Sequence, residues 1–304
     1  MGVEFKPLES IGVEVIGLDA SRPIDDATKA RMYEEFLDHG VMLFRNICTT
    51  PEIHFSISKC FGDLEEHALK DLHVEGNKNL IAVSARTELP PGPSYWIKGK
   101  LTTGFLFWHQ DLVYTPEICK GAVLRMIECP KEGGETGWID TTKVYDALPE
   151  STKKRIEGLE ARHCLRLTPE GIKYGLPSPM RQATQEEVPW KMAPFPKMPD
   201  TVHPLVSIHP ETGRKSLAIS PYSIISILRM SPQESDALIS ELVAHTLQPQ
   251  FMYIHKWAPN DAVLWDNRRT LHQAFGYPAG LHRVAHRTTL DRKMKSGRLY
   301  SEAA

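Results

Sequence analysis

The sequence predicts a mainly β fold with flanking helices, an antiparallel sandwich or jelly roll of the double-stranded β-helix type. Three observations point there. Short apolar runs recur from end to end. Helical segments are few, and lie near the N-terminus and between strands. Neither a regular βαβ alternation nor a glycine-rich phosphate loop is present. The 304 residues carry no internal repeat, and 41% are hydrophobic, enough for one large domain over 1–304.

The elements follow in order. "IGVEVIG" (11–17) alternates and is β-branched, a strand. "DDATKARMYEEFLDHG" (25–40) reads as a helix capped by Asp25 or Asp26 and ended by Gly40. "VMLFR" (41–45) is a buried strand. A second helix runs over 49–62, with Thr50 as N-cap, Pro51 at the first helical position and Gly62 at the end. Strands follow at 79–85 and 121–130, and two short helices over 141–160 break near Pro149. The segment 231–248 is a helix with Ser231 as N-cap. Strands return at 251–257, 261–266 and 282–290.

Two stretches interrupt this pattern. Residues 86–104 are rich in Pro and Gly and carry Tyr95 and Trp96. Residues 168–204 hold eight prolines and cannot form one helix or one central strand. Both read as long loops beside a binding site, with a plain surface excursion equally open for the second.

Composition narrows the function. The net charge is −2 with both signs interspersed, so no basic stripe offers itself to nucleic acid. The five cysteines have no CxxC spacing, which fits a reducing cytoplasm better than a disulfide framework. No apolar run is long enough to span a membrane. The N-terminal stretch lacks the apolar core of a signal peptide, and Lys6 stands where myristoylation prefers Ser or Thr.

The chemistry is concentrated in "FLFWHQDLVY" (105–114). In a strand, His109 and Asp111 would share one face, with Gln110 on the other. An imidazole and a carboxylate on one face make part of a metal site, or a simple hydrogen-bonded pair. A second histidine would complete two His and one carboxylate on one face of an iron ion. Among 13 histidines, His272 in "VLWDNRRTLHQAF" is the best candidate, with His203, His209, His255 and His286 as rivals by residue type. In "HRVAHRTTL", Arg283, Ala285 and Arg287 share a face. Facing inward, the two arginines would need an anion, and the planar fork of Arg suits a carboxylate. Facing outward, they would be solvated. "KEGGETGWID" reads as a Gly-Gly turn leading into a strand with Thr136, whose hydroxyl can donate to a carboxylate.

Taken together and in this order, these segments resemble the taurine dioxygenase family of Fe(II)/2-oxoglutarate dioxygenases. The likeness runs through "GVEVIGLDASRPIDD", "HGVMLFRN", "FGDLEEH", "WHQD", "GGETGWID", "HPLVSIHPETGRKSLAIS", "WDNRRTLHQA" and "RVAHRTTL". The resemblance implies that His109, Asp111 and His272 bind iron. It implies that Arg283 and Thr136 hold the distal carboxylate of 2-oxoglutarate, and that Arg287 lies near its iron-bound end. The implied reaction consumes 2-oxoglutarate and O2 and releases succinate and carbon dioxide. Hydroxylation is the default outcome, with desaturation or ring formation as variants. Halogenation is disfavoured, because Asp111 is present.

The resemblance implies a small-molecule substrate. The resemblance places His67 where it can touch the substrate's anionic head; an exposed loop histidine is the alternative. Phe105 stands where taurine dioxygenase has a polar Asn, and Leu112 is also apolar. With Tyr95 and Trp96 these residues predict a larger, more apolar substrate than taurine, such as a carboxylated terpenoid, aromatic or polyketide-like molecule in secondary metabolism or catabolism. The resemblance also implies a homodimer or tetramer. Three other readings are a non-catalytic jelly roll that binds a metal or ligand, an enzyme modifying a protein or nucleic acid, and a zinc hydrolase, which would leave the arginines and Thr136 without a role.

Overall fold

The computed structural model describes residues 2–66, 73–83, 92–166, 169, 171–190, 197–291 and 294–301. Two sheets face each other. An eight-stranded sheet runs in the order Glu4–Pro7, Val13–Ile16, Val41–Phe44, Ala262–Asp266, Gly121–Glu128, Val284–Leu290, Asn77–Ala82, His73–Val74. A six-stranded sheet runs Met180–Gln182, Tyr95–Ile97, Lys100–His109, Thr270–Pro278, Thr136–Asp140, Met252–His255. Pairing in both is antiparallel apart from Val13–Ile16 against Val41–Phe44. This is the expected jelly roll.

Alternation along the central strands builds the layers. Val41, Leu43, Ala122, Leu124, Val263, Trp265 and Ala285 face inward and join Trp138 and Trp257 in the core between the sheets. Met42, Phe44, Val123, Ala262 and Leu264 face outward, against Met32, Phe36, Ile57 and Phe61. The last group comes from the helices Asp26–His39 and Pro51–Ser58 and the residues just after the second. Asp25 caps the first helix through Thr28, and Gly40 ends it at φ +71, a conformation glycine adopts without strain. On the far side, the helix Pro232–Thr246 packs Leu238, Ile239 and Leu242 with Ile139 and Leu271 of the six-stranded sheet.

The boundaries correct the sequence reading in several places. The second helix ends at Ser58, before Gly62. The run 251–257 is strand only over Met252–His255, and the helical stretch 141–160 ends at Ile156, with Glu160 starting a strand. The stretch 86–104 is not one loop, because Tyr95–Ile97 and the start of Lys100–His109 are paired strands. Likewise 168–204 contributes Met180–Gln182 and Thr201–Pro204 to sheets. Among these, the strand Thr201–Pro204 belongs to a four-stranded sheet ordered Ile224–Ile227, Glu160–His163, Thr201–Pro204, Arg298–Leu299.

Buried histidines give this fold a pH signature. His54 and His163 are fully buried, and burial pushes each pKa down to about 3. An unfolded histidine titrates near 6.5, so on acidification the unfolded chain takes up protons first. The stability from these two groups is complete above about pH 6.5 and is lost as pH falls toward 3, by about 1.4 kcal/mol per pH unit for each. Urea midpoints measured from pH 7 to pH 4 should fall steadily across that window. A flat profile would contradict the burial of two neutral imidazoles.

Candidate active site

The register of the six-stranded sheet brings the two distant histidines together. His109 pairs directly with His272 across neighbouring strands, so both side chains leave the sheet on one face. Their ring centroids are 4.0 Å apart. Beyond this pair the register slips, with Leu106 opposite Ala274, so the 100–109 strand carries one extra residue there. Phe107 and Trp108 are both buried, Phe107 with Phe105 and Tyr95 and Trp108 with Ile139 and Leu271.

Asp111 is not part of that strand, which ends at His109. It opens a turn whose next residue, Leu112, has φ +60. The carboxylate still reaches both rings, with His109 Nε2 3.7 Å from Oδ1 and His272 Nε2 3.7 Å from Oδ2. One ligand atom from each of the three residues lies within 4.8 Å of the others. The shared face was expected from strand alternation; a turn provides it.

Electrostatics suit the group for a cation. His109 Nδ1 is 2.7 Å from the Phe107 carbonyl, which can only accept, so Nδ1 carries the proton and Nε2 keeps its lone pair. Burial lowers the pKa of His109, and burial and then His109 hold that of His272 well below its ordinary value. Both rings are therefore neutral, as ligands must be. For Asp111, burial pushes the pKa up, but the Arg287 guanidinium outweighs it and keeps the carboxyl ionised well below the usual range. Two neutral imidazoles and one carboxylate form a donor set that fits Fe(II).

Arg287 grips Asp111 with a two-pronged contact, at 3.2 Å to Oδ1 and 2.8 Å to Oδ2. Its guanidinium sits 5.2 Å from the centre of the Trp265 ring, which also lies 4.8 Å from the His272 ring. Arg283 immediately precedes the strand Val284–Leu290 and is buried. It donates to the Gly134 carbonyl at 3.3 Å and to Thr136 Oγ1 at 3.4 Å, and burial lowers its pKa to about 10. Gly133 and Gly134 make the sharp turn that sets this contact, at φ +74 and +82. A Cβ on Gly134 would meet Pro130 Cγ at 2.7 Å. Trp257 Nε1 also donates to Thr136 Oγ1, at 3.0 Å.

An aromatic cluster adjoins His109. Phe105, Phe107, Tyr95 and Ile172 pack together, with the Phe105 and Phe107 rings 5.1 Å apart. Tyr222 stacks on Phe107 at 5.5 Å and meets the His109 ring edge-on at 6.2 Å. Leu112 is half-buried in the turn after Asp111. Trp96 lies apart from this cluster. Its indole N–H donates to Glu187, Arg181 covers its ring, and it lines a surface cavity of about 400 Å³ with Gly99, Pro179 and Met180. His67 falls outside the described residues. Tyr222, Trp257 and Trp265 were not singled out by sequence reasoning. Tyr222 and Trp257 reach the site through contacts distant in sequence, which no local pattern encodes, and Trp265 meets His272 across the turn that joins their strands.

Comparison with known proteins gives a consistent result. Residues 4–289 match the family described as taurine catabolism dioxygenase TauD, TfdA family. A (S)-phenoxypropionate/alpha-ketoglutarate-dioxygenase of Sphingobium herbicidovorans is 34% identical over 272 residues, covering 89% of this chain and 88% of the relative. A crystal structure of a taurine dioxygenase from Burkholderia xenovorans superposes with a TM-score of 0.76 at 28% identity, covering 98% of this chain and 95% of the other. A structure of AAD-2 in complex with Mn(II) and N-oxalylglycine superposes with a TM-score of 0.72 at 25% identity, covering 97% and 100%.

Proposed function

The chain belongs to the taurine catabolism dioxygenase TauD, TfdA family, and on that premise we propose that this Fe(II)/2-oxoglutarate-dependent dioxygenase oxidises a small, largely apolar carboxylate. The observation that carries the proposal is the convergence of His109, Asp111 and His272 beside two inward arginines and an aromatic cluster. In this reading the three residues hold iron. Arg283 and Thr136 receive the distal carboxylate of 2-oxoglutarate, and Arg287 stands at its metal-bound end. When bound, iron and 2-oxoglutarate supply the oxygen-activating chemistry, in which O2 is consumed, succinate and carbon dioxide leave, and the substrate gains a hydroxyl group.

The protein's own residues supply placement. Burial keeps the imidazoles neutral, so each ring retains a lone pair, and the Nε2 atoms of both rings lie toward the Asp111 carboxylate. Arg287 fixes the carboxylate of Asp111. Trp265 gives His272 and Arg287 a common apolar support. The Phe105–Phe107–Tyr222 surface excludes water on the side of His109 and favours an apolar substrate body. The likeness to a phenoxypropionate dioxygenase supports an aryl carboxylate in particular. The reading further takes 1–304 as one catalytic domain that forms a homodimer or tetramer in the cytoplasm, with no nucleic-acid or membrane partner. All five cysteines are free, and among the described residues no helix is long and apolar enough to cross a membrane.

The test is succinate release against a panel of 2-aryloxypropionates, terpenoid carboxylates and taurine. Aryl or terpenoid carboxylates should drive turnover and taurine should not; taurine as the best substrate would reject the apolar pocket. Phe105→Leu should then raise KM for the apolar carboxylate roughly 10-fold or more, the cost of about 1–3 kcal/mol of lost apolar contact. KM for 2-oxoglutarate should stay unchanged. Equal rises in both constants would place Phe105 outside substrate recognition.

A further inference from the structure

We propose that Asn267 is the positioning residue that sets Asp111 in the metal site, from the same hairpin that delivers His272. This rests on the reading of His109, Asp111 and His272 as metal ligands. Asp111 has no strand ladder to hold it, because the 100–109 strand ends before it and Leu112 turns the chain at φ +60. Its backbone is held by Asn267, a fully buried side chain 156 residues away. Asn267 Oδ1 accepts from the Asp111 N–H at 2.9 Å, and Nδ2 donates to the Asp111 carbonyl at 3.0 Å. This exchange reproduces the paired bonds of an antiparallel ladder with a side-chain amide in place of a strand.

The amide has one orientation. Its second N–H donates to the Cys119 carbonyl at 3.1 Å, so reversal would set its oxygen against two carbonyls. The backbone of Asn267 is committed as well. Its carbonyl accepts from Gln110 Nε2 at 2.7 Å, and its N–H donates to the Lys120 carbonyl at 2.9 Å. Asn267 stands between the strands Ala262–Asp266 and Thr270–Pro278, five positions before His272. One rigid turn therefore places one ligand through its strand and a second through its side chain. Arg287 holds the carboxylate of Asp111; Asn267 holds the backbone that carries it.

The experiment is a Co(II) titration of the metal-free full chain, followed by visible absorption, with thermal midpoints recorded in parallel. Asn267→Asp keeps the size and one acceptor but turns both N–H donors into an oxygen facing carbonyls. Asn267→Ala removes the clamp. Each should lower Co(II) affinity about 10–100-fold, the usual cost of losing a group that orients a ligand. In an Asp111→Ala background neither should lower it further, because the effect passes through Asp111. Unchanged affinity in a folded variant, or an equal loss with Asp111 already gone, overturns the proposal. Gln110→Ala removes the half-buried outer strap and keeps the test decisive if the Asn267 variants do not fold. It should weaken Co(II) binding by a smaller factor, and no loss there also overturns the proposal. Failure of the wild-type protein to bind Co(II) would instead overturn the ligand reading, and this inference with it.

Discussion

Asp111→Ala should abolish 2-oxoglutarate-dependent succinate formation and also destabilise the metal-free protein. The two effects have separate causes. Activity is lost because, in the proposed assignment, one of three ligands disappears and two imidazoles remain. Stability is lost because Arg287, whose side chain is largely buried at 16% exposure, then lacks the carboxylate it grips at 2.8 and 3.2 Å. Breaking one side of a buried ion pair costs about 3–5 kcal/mol, because the remaining charge is left without compensation. The double variant Asp111→Ala with Arg287→Met should recover much of that stability and none of the activity. Full metal affinity in Asp111→Ala would overturn the ligand assignment. An unchanged unfolding midpoint would mean that the Arg287 contact contributes nothing to the fold.

Arg283→Met should raise the 2-oxoglutarate requirement steeply while leaving Fe(II) affinity close to wild type. The guanidinium is buried beside Thr136, and burial has already lowered its pKa to about 10. An arriving carboxylate relieves that penalty and accepts charge-assisted bonds from a planar fork. Losing one partner of such a pair costs about 2–5 kcal/mol, a rise in KM of roughly 30-fold or more. Arg283→Lys should fall between, because a point charge keeps the attraction and loses the fork. Equal KM values across all three proteins would show that the cosubstrate carboxylate binds elsewhere.

Some of this was legible in the sequence, and physical reasons explain which parts. The helix Asp26–His39 was readable because its cap and its stop are local, Asp25 accepting from Thr28 and Gly40 turning left-handed. The helix Pro232–Thr246 was readable for the same reason, through Ser231 as its N-cap, to which the structure adds a capping box with Glu234. Period-two alternation grouped Arg283, Ala285 and Arg287 on one face but left open whether that face points in or out; the packing of Ala285 in the inter-sheet core is what the structure adds. The strand Thr270–Pro278 was hidden, because it carries His272 and Gln273 in its buried half, and polar residues mask the apolar pattern. The end of the 100–109 strand was hidden too. Its apolar run continues into Leu112 and Val113, while a bulge at Phe107–Trp108 and a left-handed Leu112 break the alternation. The contacts of Asn267 with Asp111, and of Trp257 with Thr136, join residues 156 and 121 positions apart. Only tertiary packing determines such pairs.

The most direct test of the central claim is an anaerobic titration. Fe(II)-loaded protein is mixed with 2-oxoglutarate, and visible absorption is followed for the weak charge-transfer band of the chelate. The arrangement of His109, Asp111 and His272 beside Arg283 predicts that the band appears, saturates at one equivalent of Fe(II) per chain, and is absent from His272→Ala. A folded, iron-loaded wild-type protein that shows no band, or a His272→Ala variant that keeps it, would contradict the assignment of this site as the place where iron and 2-oxoglutarate meet.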